Sequence, residues 1–524
     1  MNPTKNAFNV ILFSLVCPAP FLFSGCFSRS TGQAGSLPNI VIILADDMGY
    51  GDVSSCNPAA RTHTPNIDQL AGQGISFTDA HAAAALCIPS RYGLLTGRYF
   101  FRLPPQRIPW GYGAPLIEKG RETIGSLLQK AGYTTACIGK WHLGLEWALK
   151  DPSAPQVPDG VAEGPTNTDF SSPVRHGPNE LGFDKSFILP ASLDMPPYAF
   201  VDNDRVRDPV IVMVNEIYPK TKPGVKRVWD QKYVDEDDIY WGRGVWWRNG
   251  EMSSSFRVED CLGILVDEGI SFIREQAAKN PEKPFFLYLP LTGPHTPWVP
   301  GEEFKGNSEP GTYGDFISQI DHVVYRVTET LRSLDIEENT LLIFKSDNGA
   351  HWSENDILTY AHQSNRGTRG QKADIWNGGH RVPLIVRWPA SVKGPAICDH
   401  TISLVDLFAT LAELTGQQFD ESCAEDSYSF CHLLRGEMEQ PVRDQIIYLS
   451  GAGGLAIKSG KWKYIRWLGS GGFTEPVRLE PVEGRPEGQL YDLEEDPLET
   501  NNLYLHEPDH VRRLSRMLDS LVNL

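Results

Sequence analysis

The 524-residue chain has no block rich in lysine or arginine. Its 48 basic residues are scattered against 66 acidic ones, for a net charge of −18, which argues against a nucleic-acid partner. No long polar tract and no internal repeat are present, so disordered and fibrous architectures are set aside. None of the nine cysteines stands at a zinc-binding spacing. The apolar run at the N-terminus, Ala7 to Phe23, is broken by Pro18 and Pro20 and is too short for a membrane span. Overall acidity does not exclude an anionic small substrate, because a few convergent cations or a metal set the local field of a cleft.

With 41% hydrophobic and 22% charged residues, the chain reads as one large α/β domain with a smaller companion. Residues 1–26 carry one basic residue, Lys5, then the apolar run, then Ser24, Gly25 and Cys26. This resembles a bacterial lipoprotein signal peptide, with Phe23 where such boxes usually carry Leu, so ordinary secretory cleavage stays open. Either route implies export to the periplasm or cell envelope, with lipid attachment through Cys26 as the expected membrane link. Outside the cytoplasm disulfides are permitted among Cys56, Cys137, Cys261, Cys398, Cys423 and Cys431, and their connectivity is not deducible from spacing.

After a linker, residues 27–37, the run NIVIILADD has the pattern of a buried parallel strand ending in acids, as does TLLIFKSDNG; PFFLYLP is a third buried strand. Helical patterns follow in TIGSLLQKAG, CLGILVDEGISFIREQ, GDFISQIDHVVYRVTETLRSL and SLVDLFATLAELTG, the last stopped by Gly416. Alternating strands and helices predict a doubly wound α/β sheet. Two segments, Lys150 to Gly182 and Asp202 to Met252, the second holding Trp229, Trp241, Trp246 and Trp247, read as inserted loops that shape a substrate site. The catalytic domain is expected over 38–440. A C-terminal α+β unit over 441–524 would be built from IIYLS, LAIKSGKWKYIRW, QLYDL and a closing helix.

Asp46 and Asp47 follow one predicted strand, Asp347 and Asn348 another. In an open parallel sheet ligands bind beyond the carboxyl ends of the strands, so the two pairs are placed to converge there. Three carboxylates and an amide oxygen form a hard donor set suited to Ca²⁺ or Mg²⁺; each pair alone also reads as a cap on the loop that follows. In LCIPSRYGLLTGRY, Pro89 suits the first position of a helix, which leaves Cys87 just outside its positive end. A lone cysteine in such a run is otherwise a small core residue.

The string Cys87, Pro89, Ser90, Arg91, Leu95, Thr96, Gly97, Arg98 matches the C-x-P-S-R…L-T-G-R pattern of the type I, formylglycine-dependent sulfatases, which the chain resembles. The likeness continues through ADDMGYGD, GKWHLG, PHTP, SDNG, RGQKADIWNGGHRVP and LYDLEEDPLETNNL, in the family's order. It implies an alkaline-phosphatase-like fold with a large, mostly parallel mixed sheet. It also implies oxidation of Cys87 to formylglycine by a formylglycine-generating or anaerobic sulfatase-maturating enzyme. A plain thiol or alcohol would be left as a stable ester after attack on sulfur, whereas a hydrated aldehyde can release sulfate by re-forming its carbonyl.

The same resemblance assigns one Ca²⁺ to Asp46, Asp47, Asp347 and Asn348, with residue 87 completing the metal site. Arg91 and Lys140 fix the hydroxyls of residue 87, and His142 takes the proton during sulfate release. Lys372 and His295 bind the sulfate and bridging oxygen, one of them protonating the leaving alcohol. Ser192, in PASLDMPPY, lies near the family's sulfate-proximal serine. His351, His362 and His380 remain unassigned. The loops TGRYFFRLPPQRIPWGYGAPLIE and PASLDMPPYAFVDNDR resemble bacterial exo-acting carbohydrate sulfatases related to N-acetylgalactosamine-6-sulfatase, which implies 6-sulfated galactose or N-acetylgalactosamine as substrate. Trp110, Tyr112 and the Trp246/Trp247 pair are candidate platforms for a sugar face, or packing residues of the loops. The rivals are a broad arylsulfatase, a phosphonate or phosphodiester hydrolase of the same superfamily, and an inert glycan-binding surface lipoprotein.

Overall fold

The chain was analysed as a computed structural model that describes residues 37–104, 111–157, 164–218, 248–420 and 422–522. The expectations for residues 1–26, Cys26, most of the linker, Trp110, Trp229, Trp241 and the Trp246/Trp247 pair lie outside them.

Strands Asn39–Ala45, Phe285–Pro290 and Thr340–Ser346 are apolar along both faces and buried almost throughout, as strands covered on both sides must be. They form the centre of a ten-stranded sheet. Asn39–Ala45 pairs in parallel with Phe285–Pro290 on one side and Thr340–Ser346 on the other. Thr134–Lys140 and then Lys185–Leu189 continue the parallel run beyond Phe285–Pro290. The flanks are mixed: Leu384–Arg387 lies antiparallel between Thr340–Ser346 and Ile75–Phe77, with Ala396–Cys398 outermost. The short strands Val201–Asp202 and Arg205–Val206 close the other edge.

Because successive strand residues face opposite sides, the first strand feeds two cores. Ile40, Ile42 and Leu44 pack with Ile88, Leu95, Leu127 and Leu411 from helices Cys87–Thr96, Ile124–Lys130 and Asp406–Thr415. Val41, Ile43 and Ala45 pack with Leu265, Ile270, Ile317 and Val324 from Cys261–Lys279 and Gly311–Ser333. Gly416, at φ 68°, closes the Asp406–Thr415 helix as expected. Among the described residues no helix is long and apolar enough to cross a membrane.

Two expectations are corrected. Helix Cys87–Thr96 begins at Cys87, with Leu86 as its N-cap, two residues ahead of Pro89; none of the first-turn N–H groups has an intrahelical acceptor, so proline fits there as well as at the first position. The segment from Asp202 is sheet at its described ends, joining the sheet edge and pairing Ile211–Met213 with Glu251–Ser253. The disulfides that an exported chain permits are not formed among the described residues, whose seven cysteines are all free.

Strands Gln445–Leu449, Leu455–Ser459, Trp462–Ile465 and Gln489–Asp492 form a sequential antiparallel sheet, and helix Pro508–Val522 buries Leu514 and Leu518. A largely buried polar chain ties this sheet to the short strand Ala80–His81 and the helix Asn377–His380 of the large domain. Lys458 donates to Asp79 (2.5 Å), whose other oxygen meets His81 Nε2 (2.8 Å). His81 Nδ1 meets His380 Nδ1 (3.0 Å), and His380 Nε2 meets Lys463 Nζ (3.2 Å), which is paired with Glu499 (2.7 Å). Two facing ring nitrogens can share only one proton, so at least one of the two imidazoles is neutral. Burial holds both below the usual histidine value, His81 at about 4.

Candidate active site

The carboxyl ends of the five strands of the central parallel run deliver polar residues to one edge of the sheet. Asp46 and Asp47 follow Ala45, Asp347 and Asn348 follow Ser346, and Lys140 ends its strand with His142 two residues on. His295 follows Phe285–Pro290, and Ser192 follows Lys185–Leu189. Cys87 and Arg91 arrive on the first two turns of their helix, and Lys372 on a loop. All eleven are at most 6% exposed. Asp47 (φ 65°) and His142 (φ 58°) hold left-handed backbone, a strain of about 1–3 kcal/mol that the surrounding packing must sustain. At Gly139, φ is 142° and a Cβ would stand 1.9 Å from the Pro290 carbonyl, so only glycine lets this strand end meet its neighbour.

Three cations interlock with three carboxylates. Lys140 Nζ donates to Asp46 Oδ2 (2.6 Å) and Lys372 Nζ to Asp47 Oδ2 (2.7 Å). Arg91 reaches Asp347 Oδ2 and approaches Asp46 Oδ1 at 3.3 Å, while the Asn348 amide donates to Asp47 Oδ1 (2.7 Å). Burial opposes ionisation of Asp46, but Lys140, His295 and Arg91 outweigh it and hold the carboxyl far below the usual range; Lys372 and His295 outweigh burial at Asp47 and lower it too. Burial, with Asp46 and Asp47 adding to it, pushes Asp347 up to about 7 against the pull of Arg91.

Oxygens of Asp46, Asp47 and Asp347 lie within 4.8 Å of one another, and the buried Asp46 Oδ1 and Asn348 Oδ1 have no hydrogen-bond partner. Crowded carboxylates and orphaned oxygens converging on one point fit a hard divalent cation. The Cys87 sulfur does not belong to that cluster.

Cys87 Sγ lies 3.5 Å from His142 Nδ1. Burial raises the thiol above its ordinary value, and a thiol kept protonated is a poor nucleophile. Burial, then Lys140 and Arg91, hold His142 well below the usual histidine range, and its buried Nε2 has no partner, so the ring is a neutral base. His295 Nδ1 donates to the Thr296 carbonyl (2.6 Å) and approaches Ser192 Oγ at 3.5 Å, while Nε2 lies 3.7 Å from Asp47 Oδ2.

Sequence reasoning missed Asp194, two residues after Ser192 in PASLDMPPY. It is buried, accepts from Arg248 at 2.9 Å, and holds its other oxygen 3.8 Å from His295. Tyr112, offered as a sugar platform, is buried and donates to Glu251 at 2.9 Å; its ring is packing, because its hydroxyl is satisfied only inside the fold. His362 binds the buried Asp52 (2.8 Å) and is likewise structural.

A family model described as Sulfatase matches residues 38–417. The chain is 35% identical over 531 residues to the N-acetylgalactosamine-6-O-sulfatase of Bacteroides thetaiotaomicron, covering 98% of this chain and 99% of that one. A solved 6S-sulfatase structure from a glycosaminoglycan-metabolism locus of the same organism superposes with a TM-score of 0.76 at 34% identity, over 93% of this chain and 100% of that one. The phosphonate monoester hydrolase of Agrobacterium radiobacter shares the fold alone, at TM-score 0.56 and 17% identity, over 92% and 95% of the two chains. With its large, mostly parallel sheet, C-terminal antiparallel sheet and carboxylate–lysine–arginine cluster at the strand ends, the chain belongs to the sulfatase family of sulfuric ester hydrolases.

Proposed function

We propose that the protein releases inorganic sulfate from a sulfated carbohydrate, acting on 6-sulfated galactose or N-acetylgalactosamine at a chain end, with Cys87 matured to formylglycine. The observation that carries this reading is the placement of Cys87 at a helix N-terminus, 3.5 Å from a neutral His142 and beside the carboxylate cluster. The near full-length likeness to an N-acetylgalactosamine-6-O-sulfatase supports the choice of sugar.

In this reading the Sγ position stands for a hydroxyl of the hydrated aldehyde, which offers one hydroxyl to sulfur and a second whose deprotonation releases sulfate. Arg91 and Lys140 hold residue 87 through their fixed partners, and His142 accepts the proton of the second hydroxyl. Lys372 and His295, both directed at Asp47 Oδ2, bracket the sulfate and bridging oxygen, and one of them protonates the departing alcohol. Ser192, beside His295, adds a hydroxyl donor to the sulfate. Asp46, Asp47, Asp347 and Asn348 are the residues that would hold Ca²⁺, whose charge polarises sulfate oxygens.

We place the mature chain outside the cytoplasm, lipid-anchored at Cys26; a Cys26→Ala form as membrane-bound as wild type would remove the anchor. The maturating enzyme is the partner this reading requires. Mass spectrometry of the peptide spanning Cys87, beside sulfate release from defined sugar sulfates and phosphodiesters, tests the whole reading. Active protein carrying only an unmodified thiol, or one that prefers phosphodiesters, overturns it.

A further inference from the structure

The part of the site that recognises what lies beyond the sulfate is not accounted for by the groups above, all of which face sulfate, bridging oxygen or metal. Two features fall outside that set and lie against each other. His351, three residues after Asn348, is partly buried and directly follows Ala350, whose carbonyl accepts from the Lys372 N–H at 3.0 Å, so it lies beside the stretch that carries Lys372. Its ring packs against Phe473, with centroids 5.2 Å apart and planes at 59°. Phe473 is among the exposed large apolar side chains of the described residues, at 42% exposure.

The position of Phe473 is built rather than incidental. The loop Ser470–Thr474 is pinned to the stretch that carries Lys372. The Ile375 N–H donates to the Ser470 carbonyl (2.8 Å). Asp374 Oδ1 accepts from the N–H groups of Phe473 (2.8 Å) and Thr474 (3.1 Å), and Asp374 Oδ2 from the Thr474 hydroxyl (2.5 Å). At Gly472 a Cβ would stand 2.3 Å from the Ala373 backbone, so the two backbones touch. An aromatic ring held this firmly, yet with its surface open beside the cleft, suits the apolar face of a pyranose ring, and a histidine beneath it can hydrogen-bond a hydroxyl.

We infer that Phe473, brought from the C-terminal sheet region to the rim of the cleft, and His351 beneath it form the wall that receives the sugar ring of the substrate. The inference rests on the carbohydrate reading proposed above and adds the residues that determine specificity. Discrimination between a sugar and a small aryl leaving group then depends on these two side chains rather than on the sulfate-binding set.

The test uses the full-length matured enzyme with N-acetylgalactosamine 6-sulfate, galactose 6-sulfate and 4-nitrophenyl sulfate as probes. For Phe473→Ala and His351→Ala the ratio of kcat/KM for sugar sulfate to that for aryl sulfate should fall at least tenfold, mainly through KM. Phe473→Trp, which keeps a ring, should retain most of the ratio. A ratio within twofold of wild type in both alanine variants overturns the assignment. So does an equal loss on both substrate types, which would mark the pair as structural. A wild-type enzyme that hydrolyses the aryl sulfate and neither sugar sulfate overturns the carbohydrate reading itself, a result distinct from either of these.

Discussion

Arg91 gives two donors, Nε and Nη2, to a single oxygen of Asp347, at 3.0 and 2.7 Å, and a third, Nη1, to the Lys140 carbonyl at 2.9 Å. One guanidinium thus joins the helix that carries Cys87 to two strand ends, without exposure to water. A lysine cannot reproduce this fork. Arg91→Lys should lose activity by more than a hundredfold, and Arg91→Ala should also cost about 3–5 kcal/mol of stability by leaving a buried carboxylate unpaired. Turnover and denaturant unfolding of the two variants check this; near-normal stability in Arg91→Ala contradicts it.

The oxygens of Asp46, Asp47 and Asp347 crowd within 4.8 Å, so removing the cation should leave them mutually repelling. Exhaustive chelation should abolish sulfate release and lower Tm, with both recovering on addition of Ca²⁺. At a hundredfold excess over Kd the ion contributes about 2.7 kcal/mol. Asp347→Ala should lose metal and activity together, as read by metal analysis of the purified variant. Full activity after chelation would falsify the metal assignment.

Cys87→Ala should abolish turnover while costing about 1 kcal/mol, since it removes one buried sulfur. Cys87→Ser should be equally inactive if the maturating enzyme acts only on cysteine. Residual turnover by Cys87→Ala above the reagent blank would show that residue 87 is not the nucleophile.

Acid should weaken the contact between the C-terminal sheet and the large domain. His81 is lowered from 6.5 to about 4 in the folded protein, so below pH 6.5 the unfolded chain binds a proton that the folded chain refuses. Stability is therefore full above about pH 6.5 and falls as pH drops toward about 4, by up to about 3 kcal/mol from His81 alone. His380, also held well below the usual histidine value by burial, acts in the same direction. Denaturant unfolding between pH 7.5 and 4.5 should show this slope, and His81→Gln, which does not titrate, should flatten it. An unchanged slope in that variant assigns the acid sensitivity elsewhere.

Much of the catalytic edge was legible in the chain itself. Continuous apolar runs such as NIVIILA marked buried parallel strands, and acids directly after two of them marked a crevice at the strand ends, because strand burial and loop polarity are local properties of a few adjacent residues. The motif around Cys87 pointed to the sulfatase family through its resemblance, and GKWHLG marked Lys140 and His142 as candidates, although strand Thr134–Lys140 went unread because TTACIGK has no long apolar run. What no local pattern could supply is which strand lies beside which. Sheet order brings Arg91 to Asp347 across 256 residues and His81 to His380 across 299. It also buries Tyr112, read from the sequence as a candidate sugar platform, and lays the exposed Phe473, which no local pattern singled out, against His351. These contacts follow from packing a whole sheet and its covering layers, a global minimum in which each pair is satisfied only once every other element is in place.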